Sequence, residues 1–219
     1  METTNNTSST PAPAAEERRF QINLLPFGII KKFLVFTPKA ITYGKKTIEN
    51  DAIESVHTQI VRTSTNGIRS STTYTLAING GVAGGSLRIS FADLFYGKKK
   101  GKKFDEILNA FGEHAGMSLL TRLLARIQTG GEVTIGPSVW RKDGVVITPS
   151  KMFVLKGEPV LVPYERLQMG MDGGSLKLRD RENEKAHAEL VMGRVPNSYM
   201  VDKLYDYLVA KEGWRDAVK

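Results

Sequence analysis

Residues 22–38 of this chain lie without a gap on residues 133–149, a shift of 111 positions. Pro26 falls on Pro137, Lys31 on Lys142, Thr37 on Thr148 and Pro38 on Pro149. Between these identities Ile22 meets Val133, and the apolar run Leu34, Val35, Phe36 meets Val145, Val146, Ile147. A fixed shift of this kind is the mark of two copies of one structural unit. A chain of 219 residues holds two units of ~100 residues, each large enough to bury a core of its own. With 41% hydrophobic and 25% charged residues, both copies have the composition of ordinary globular domains.

In the first copy, residues 33–36 form a β-rich run stopped by Thr37-Pro38, and residues 40–43 form another closed by Gly44, as successive meander strands do. Residues 52–79 read as a hairpin. Apolar residues or Thr occupy the even positions Val56, Thr58, Ile60 and then Thr72, Tyr74, Leu76, Ile78, around Asn66-Gly67, the dipeptide that best tolerates a type I′ turn. A small-residue linker, 80–85, leads to a strand at 87–91. Phe104, Ile107, Leu108 and Phe111 then follow i, i+3, i+4, i+7, one apolar face of a helix. A second amphipathic helix, with Leu119, Leu120, Leu123, Leu124 and Ile127 on one side, stops at Gly130-Gly131 and joins the copies.

The second copy repeats the order, with strands expected at 133–135, 145–147, 152–155, 160–162, 167–171, 175–178 and 188–192. Its closing helix is expected to be capped by Asn197 or Ser198, with Met200, Val201, Leu204 and Leu208 inward. Each copy thus reads as about seven short strands followed by one helix. The chain resembles bacterial pleckstrin-homology-like and GRAM-type sequences in a strand ending in Thr-Pro, a strand running to Gly, and an apolar-x-x-x-x-apolar run, here Ile48 to Ile53 and Val162 to Leu167. Around the junction, residues 119–146 are similar to a family known only as a domain of unknown function, which brings no catalytic residues. The resemblance implies an α+β, mostly β fold: two consecutive units, each a bent antiparallel sheet capped by a C-terminal helix. The expected division is a disordered tail at 1–19, a first unit at 20–116, a linking helix at 117–130 and a second unit at 131–219.

Zero Cys removes disulfides, thiolate metal sites and cysteine nucleophiles, and is compatible with a cytoplasmic protein. Residues 1–17, rich in Thr, Asn, Ser, Pro and Ala, have no apolar stretch suited to a signal-peptide core, and no segment reaches the ~20 apolar residues of a membrane span. The net charge of +8 is unequally divided: up to Gly130 there are 17 Lys and Arg against 10 Asp and Glu, and beyond it 14 against 13. The first copy is therefore the basic one.

Its densest positive stretch is Lys98, Lys99, Lys100, Lys102 and Lys103, just ahead of a helix, where backbone N–H groups favour anions. It is not a phosphate-binding Walker loop: three residues separate Gly97 from Gly101 where that motif has four, and Lys103 stands where its Ser or Thr would hold magnesium. A second set comes from loops and strand ends, Lys31, Lys32, Lys45, Lys46, Arg62 and Arg69. Pleckstrin-homology-like domains that bind phosphoinositides use basic residues on such loops, so the resemblance implies contact with an anionic lipid headgroup, while solvated loop tips are the plain alternative. His57, His114 and His187 lack metal-ligand spacing, and the carboxylate pairs Asp51 with Glu54 and Asp202 with Asp206 read as solvated faces. Tyr199, Tyr205, Tyr207 and Trp214 cannot all face one core, which leaves a ring for a groove between helix and sheet or for a partner.

The expectation is a cytoplasmic, non-catalytic tandem interaction or scaffolding protein with an unknown protein partner and with no cofactor and no metal. Its alternative is peripheral binding of anionic membrane by the basic first copy. Nucleic-acid binding is a weaker third reading, because no stacking aromatics interleave with the lysines.

Overall fold

The computed structural model describes residues 16–23, 31–65, 68–94, 98–151, 154–155, 157–172, 175–191 and 193–210. The chain is mostly β, with antiparallel sheets and a few helices. In its amino-terminal half β1 (Arg18–Asn23), β2 (Lys31–Phe36), β3 (Ala40–Tyr43) and β4 (Lys46–Glu49) make a four-stranded meander in chain order. Alternation drives it: Leu34, Phe36, Ile41, Tyr43 and Ile48 are buried while their strand neighbours reach solvent. Thr37 makes the β2–β3 turn, its backbone N–H donating to the Ala40 carbonyl at 3.0 Å and its hydroxyl accepting from the Ala40 N–H at 3.0 Å. Arg18 and Arg19, expected in the tail, belong to β1, where Arg19 lies 4.0 Å from the Phe33 ring centre.

A three-stranded sheet follows, β5 (Ser55–Thr65), β6 (Ile68–Asn79) and β7 (Ser86–Leu94). Thr65 pairs with Ile68, while Asn66 and Gly67 lie outside the described residues. Cross-strand register stacks Val56, Ile78 and Leu87, then Thr58, Leu76 and Ile89, then Ile60, Tyr74 and Phe91 on one face. The expected linker at 80–85 contains a helical turn, α1 (Gly81–Gly84). The two expected helices are one unbroken helical run, α2 (Lys98–Phe111) passing through a π-helical segment (Gly112–Gly116) into α3 (Met117–Gln128). The boundary expected at 116/117 falls inside it. Phe104 anchors α2 between Tyr74 at 5.3 Å and Phe91 at 6.0 Å between ring centres.

Among the described residues the carboxy-terminal half has nine strands where seven were expected. β8 (Val133–Ile135), β9 (Ser138–Arg141), β10 (Gly144–Ile147) and β13 (Val160–Val162) form a sheet in the order β13-β10-β9-β8; β11 (Ser150–Lys151) and β12 (Val154–Leu155) make a small hairpin; β14 (Leu167–Asp172), β15 (Ser175–Asp180) and β16 (His187–Val191) make a three-stranded sheet. The unforeseen strands are β11, the first arm of that hairpin, and β9, which contributes fully buried Trp140. Pro137-Ser138 reads as a loop, yet Gly136, at φ +56°, turns the chain within two residues and sets Ile135 against Ser138. That strand also changes the meaning of the repeat: the 111-residue shift lays β2 on β10, but among the described residues β1 alone precedes β2 in its sheet, while β8 and β9 precede β10. Local sequence is shared while the number of strands leading up to it is not.

The closing segment is a 3₁₀ turn (Ser198–Met200), α4 (Val201–Tyr205) and a π-helical segment (Asp206–Ala210). Asn197 precedes it but makes no side-chain cap bond. α3 packs on β8, β9 and α4 and is also tied to the first half, where Arg122 donates to the Ile53 carbonyl at 2.5 Å and Ser118 to Asp51 at 2.8 Å. One continuous cluster of buried residues, from Ile22 to Leu208, runs through both halves. No helix among the described residues is long and apolar enough to cross a membrane.

Candidate functional site

Among the described residues β5 is an edge strand, since β6 takes one side of it and no strand takes the other. The start of that free edge is met by the second half. The Val56 N–H donates to Asn197 Oδ1 at 2.9 Å, the Asn197 N–H donates to the Val56 carbonyl at 2.7 Å, and Asn197 Nδ2 donates to the Glu54 carbonyl at 3.3 Å. Asn197 is the one non-glycine residue with positive φ, at 60°, among the described residues, a conformation Asn tolerates better than most side chains. Its polar groups are spent on the neighbouring strand, which is why they cap no helix. One residue along β5, the His57 ring Nε2 bonds the Gly193 carbonyl. Gly193 sits at φ +89°, and a Cβ there would lie 2.8 Å from the Thr58 carbonyl oxygen, so glycine is what lets this segment close on β5.

Beyond Gln59 the edge opens into a groove of about 710 Å³, lined by Ile60 and Arg62 of β5, Phe104 and Leu108 of α2, Met171 of β14, and Tyr199. Ile60 belongs to the inward row with buried Tyr74 and Phe91, yet it is 52% exposed, and Met171 across the groove is 62% exposed. An inward-facing apolar position left open is an incomplete core surface. Tyr199 closes one end, edge-on to Phe111 at 6.3 Å, and burial, helped by the Asp202 carboxylate, holds its phenol above the ordinary value. It is one of the four aromatic residues that the sequence leaves in excess at the carboxy-terminal end. Tyr205 instead donates to the Leu167 carbonyl at 3.4 Å, and Trp214 lies outside the described residues.

The expected anion-contact residues do not act as one set. Lys100 donates its ammonium to the Ala92 carbonyl of β7, and Lys103 donates to the Gln21 carbonyl of β1 at 2.5 Å. These two lysines fasten the first turns of α2 to the sheets, a structural task that replaces the free display expected of them. Lys102 is exposed, and Lys98 and Lys99 open α2, their side chains being outside the described residues, as is that of Arg69 on β6. Lys31 and Lys32 begin β2, Lys45 lies in the β3–β4 turn and Lys46 begins β4, so these four exposed residues gather at one end of the first sheet. Lys32 Nζ lies 5.5 Å from the Tyr43 ring centre. Arg62 belongs to the groove instead.

The histidines go to three separate places: His57 to the junction, His114 buried in the π-helical segment and stacked on Phe36 at 6.3 Å, and His187 on β16. Among the carboxylates, Asp51 engages Ser118 and Arg122, and Asp202 faces Lys203 at 3.7 Å. Sequence periodicity located the inward row of β5 but gave no sign that its second half stays open. No protein-family model matches the chain, and no curated protein or solved structure shows significant similarity to it.

Proposed function

We propose that this chain is a non-catalytic interaction module of two consecutive pleckstrin-homology-like units, which docks an extended segment of a partner protein along β5. Four strands, three strands and a helix in that order in the first half, and a sheet of four, a hairpin, a sheet of three and a helix in the second, support the tandem reading. The observation that carries the docking is Ile60, an inward-facing residue with half its surface open beside a strand edge on which no strand of the described residues pairs. A free edge offers backbone hydrogen bonds to an extended segment, and the groove offers Phe104, Leu108 and Met171 to its apolar side chains. Arg62 is the one charged residue of the lining and selects an acidic residue opposite it.

A photo-crosslinking residue at Ile60 or Met171 in cells is expected to capture a discrete protein, with none captured from Val82, which is fully open but does not line the groove. Equal yields at all three positions, or none at Ile60, overturn the reading.

A second reading has its own observation, the gathering of Lys31, Lys32, Lys45 and Lys46 at one end of the first sheet. Such a cluster attracts an anionic membrane from the cytoplasmic side at about 1 kcal/mol per basic residue near the surface. Sedimentation with anionic vesicles is then expected to be salt-sensitive and lost when the four lysines become Gln; binding that ignores either change removes it.

A further inference from the structure

The outer face of the β14–β15–β16 sheet holds another cavity, of about 650 Å³, which shares no residue with the β5 groove. Register sets Gln168 opposite Arg179 and Arg179 opposite His187, one row across three strands, and sets Lys177 between Gly170 and Glu189 in the next row of the same face. Ser150 of β11 walls one side, and Arg181 and Glu184 of the β15–β16 turn wall the other.

Most charges here are already matched. Asp180 is held by Arg166 through two hydrogen bonds and by the Glu182 N–H at 2.9 Å; Lys177 donates to Asp172 at 2.6 Å and also faces the Glu189 charge. What remains is a set of donors. Arg179 gives its Nε–H to Gln168 Oε1 at 2.9 Å, which fixes the guanidinium fork, while its Nη atoms meet no partner among the described residues. The Gln168 amide nitrogen and the Arg181 guanidinium are likewise without a partner among the described residues. Ser150 is 2% exposed; its oxygen accepts the Glu189 N–H at 3.2 Å, so its hydroxyl proton is uncommitted at the cavity wall. Glu184 is the carboxylate of the lining left unmatched.

We infer that this cavity binds a small oxyanion, a carboxylate or a phosphate, gripped by the Arg179 Nη fork and the Gln168 amide with Arg181 supplying a second positive charge. A guanidinium whose plane is already fixed loses little freedom on accepting two parallel hydrogen bonds, which favours a planar or multi-oxygen anion over chloride. Glu184 orients the ligand by repelling a second anionic group from its wall.

The test is an NMR titration of the full chain with inorganic phosphate and, separately, with glutarate, at constant ionic strength, following the Arg179 Nε and Gln168 side-chain amide signals. Saturable shifts with either anion support the site, and the tighter of the two names the class. Arg179→Gln is expected to weaken binding roughly tenfold. Gln168→Met weakens it less, and Lys142→Ala, on the β9–β10 turn, leaves it unchanged. Shifts that never saturate with either anion, or that are the same in a folded Arg179→Gln protein, overturn the inference.

Discussion

Asn197 meets Val56 as a strand residue would, accepting its N–H at 2.9 Å and donating to its carbonyl at 2.7 Å across 141 residues of sequence. A side-chain oxygen and a backbone N–H stand in for the two groups of a neighbouring strand, and they block the edge of β5 where the halves meet. Asn197→Gly is expected to keep the backbone conformation and to cost about 1–3 kcal/mol from the orphaned Val56 N–H. Asn197→Ala should cost about 1 kcal/mol more, because Cβ is unfavourable at positive φ. Urea denaturation gives the order; an Ala variant as stable as the Gly variant contradicts it.

The lysine cluster is expected to divide under mutation. Lys100→Ala loses the bond that ties α2 to β7 and should cost about 1 kcal/mol, whereas exposed Lys102→Ala should stay within about 0.5 kcal/mol of the parent. Thermal melts of the two single variants make the comparison, and equal losses would mean that Lys100 is not a structural tie.

Asp180 gives the fold a sign-definite response to acid. Its hydrogen bonds from Arg166, and then those from the backbone of the β15–β16 turn, hold its carboxyl below the ordinary carboxylate range, against the opposing effect of burial. A depressed pKa contributes stability that is fully present above the unfolded value, ~3.9, and is lost as pH falls through the folded one. Asp180→Asn should therefore lower Tm by roughly 4–8 °C at pH 7. The gap to the parent should narrow as the pH is taken below 4. A gap independent of pH would assign the loss to packing.

Trp140→Ala is expected to cost about 3–5 kcal/mol, since the indole is fully buried beside Tyr164, at 6.4 Å between ring centres, and donates to the Ser138 hydroxyl at 3.1 Å. Trp140→Phe should recover much of this. Denaturant midpoints distinguish a core position from a loop residue, for which both changes would be small.

Much of the architecture is legible in the chain. The even-numbered apolar positions of 56–78 do share one face, and Phe104, Ile107 and Phe111 do form the buried side of a helix, because strand and helix periods are local properties of the backbone. β9 is hidden for an equally local reason: four residues between Pro137 and Lys142 carry too short a pattern to tell a strand from a turn, and only pairing with β8 and β10 decides. The oxyanion cavity was invisible because Gln168, Arg179 and His187 are adjacent only through register.

The sequence by itself determined a mostly antiparallel chain with inward rows, apolar helix faces and positive charge concentrated in its first half. Tertiary structure alone decided that Lys100 and Lys103 fasten a helix, that Asn197 closes part of an edge, and that Ile60 stays open beside it. The physical reason is that periodicity states which way a side chain points, whereas burial depends on what another part of the chain, more than a hundred residues away, brings to meet it.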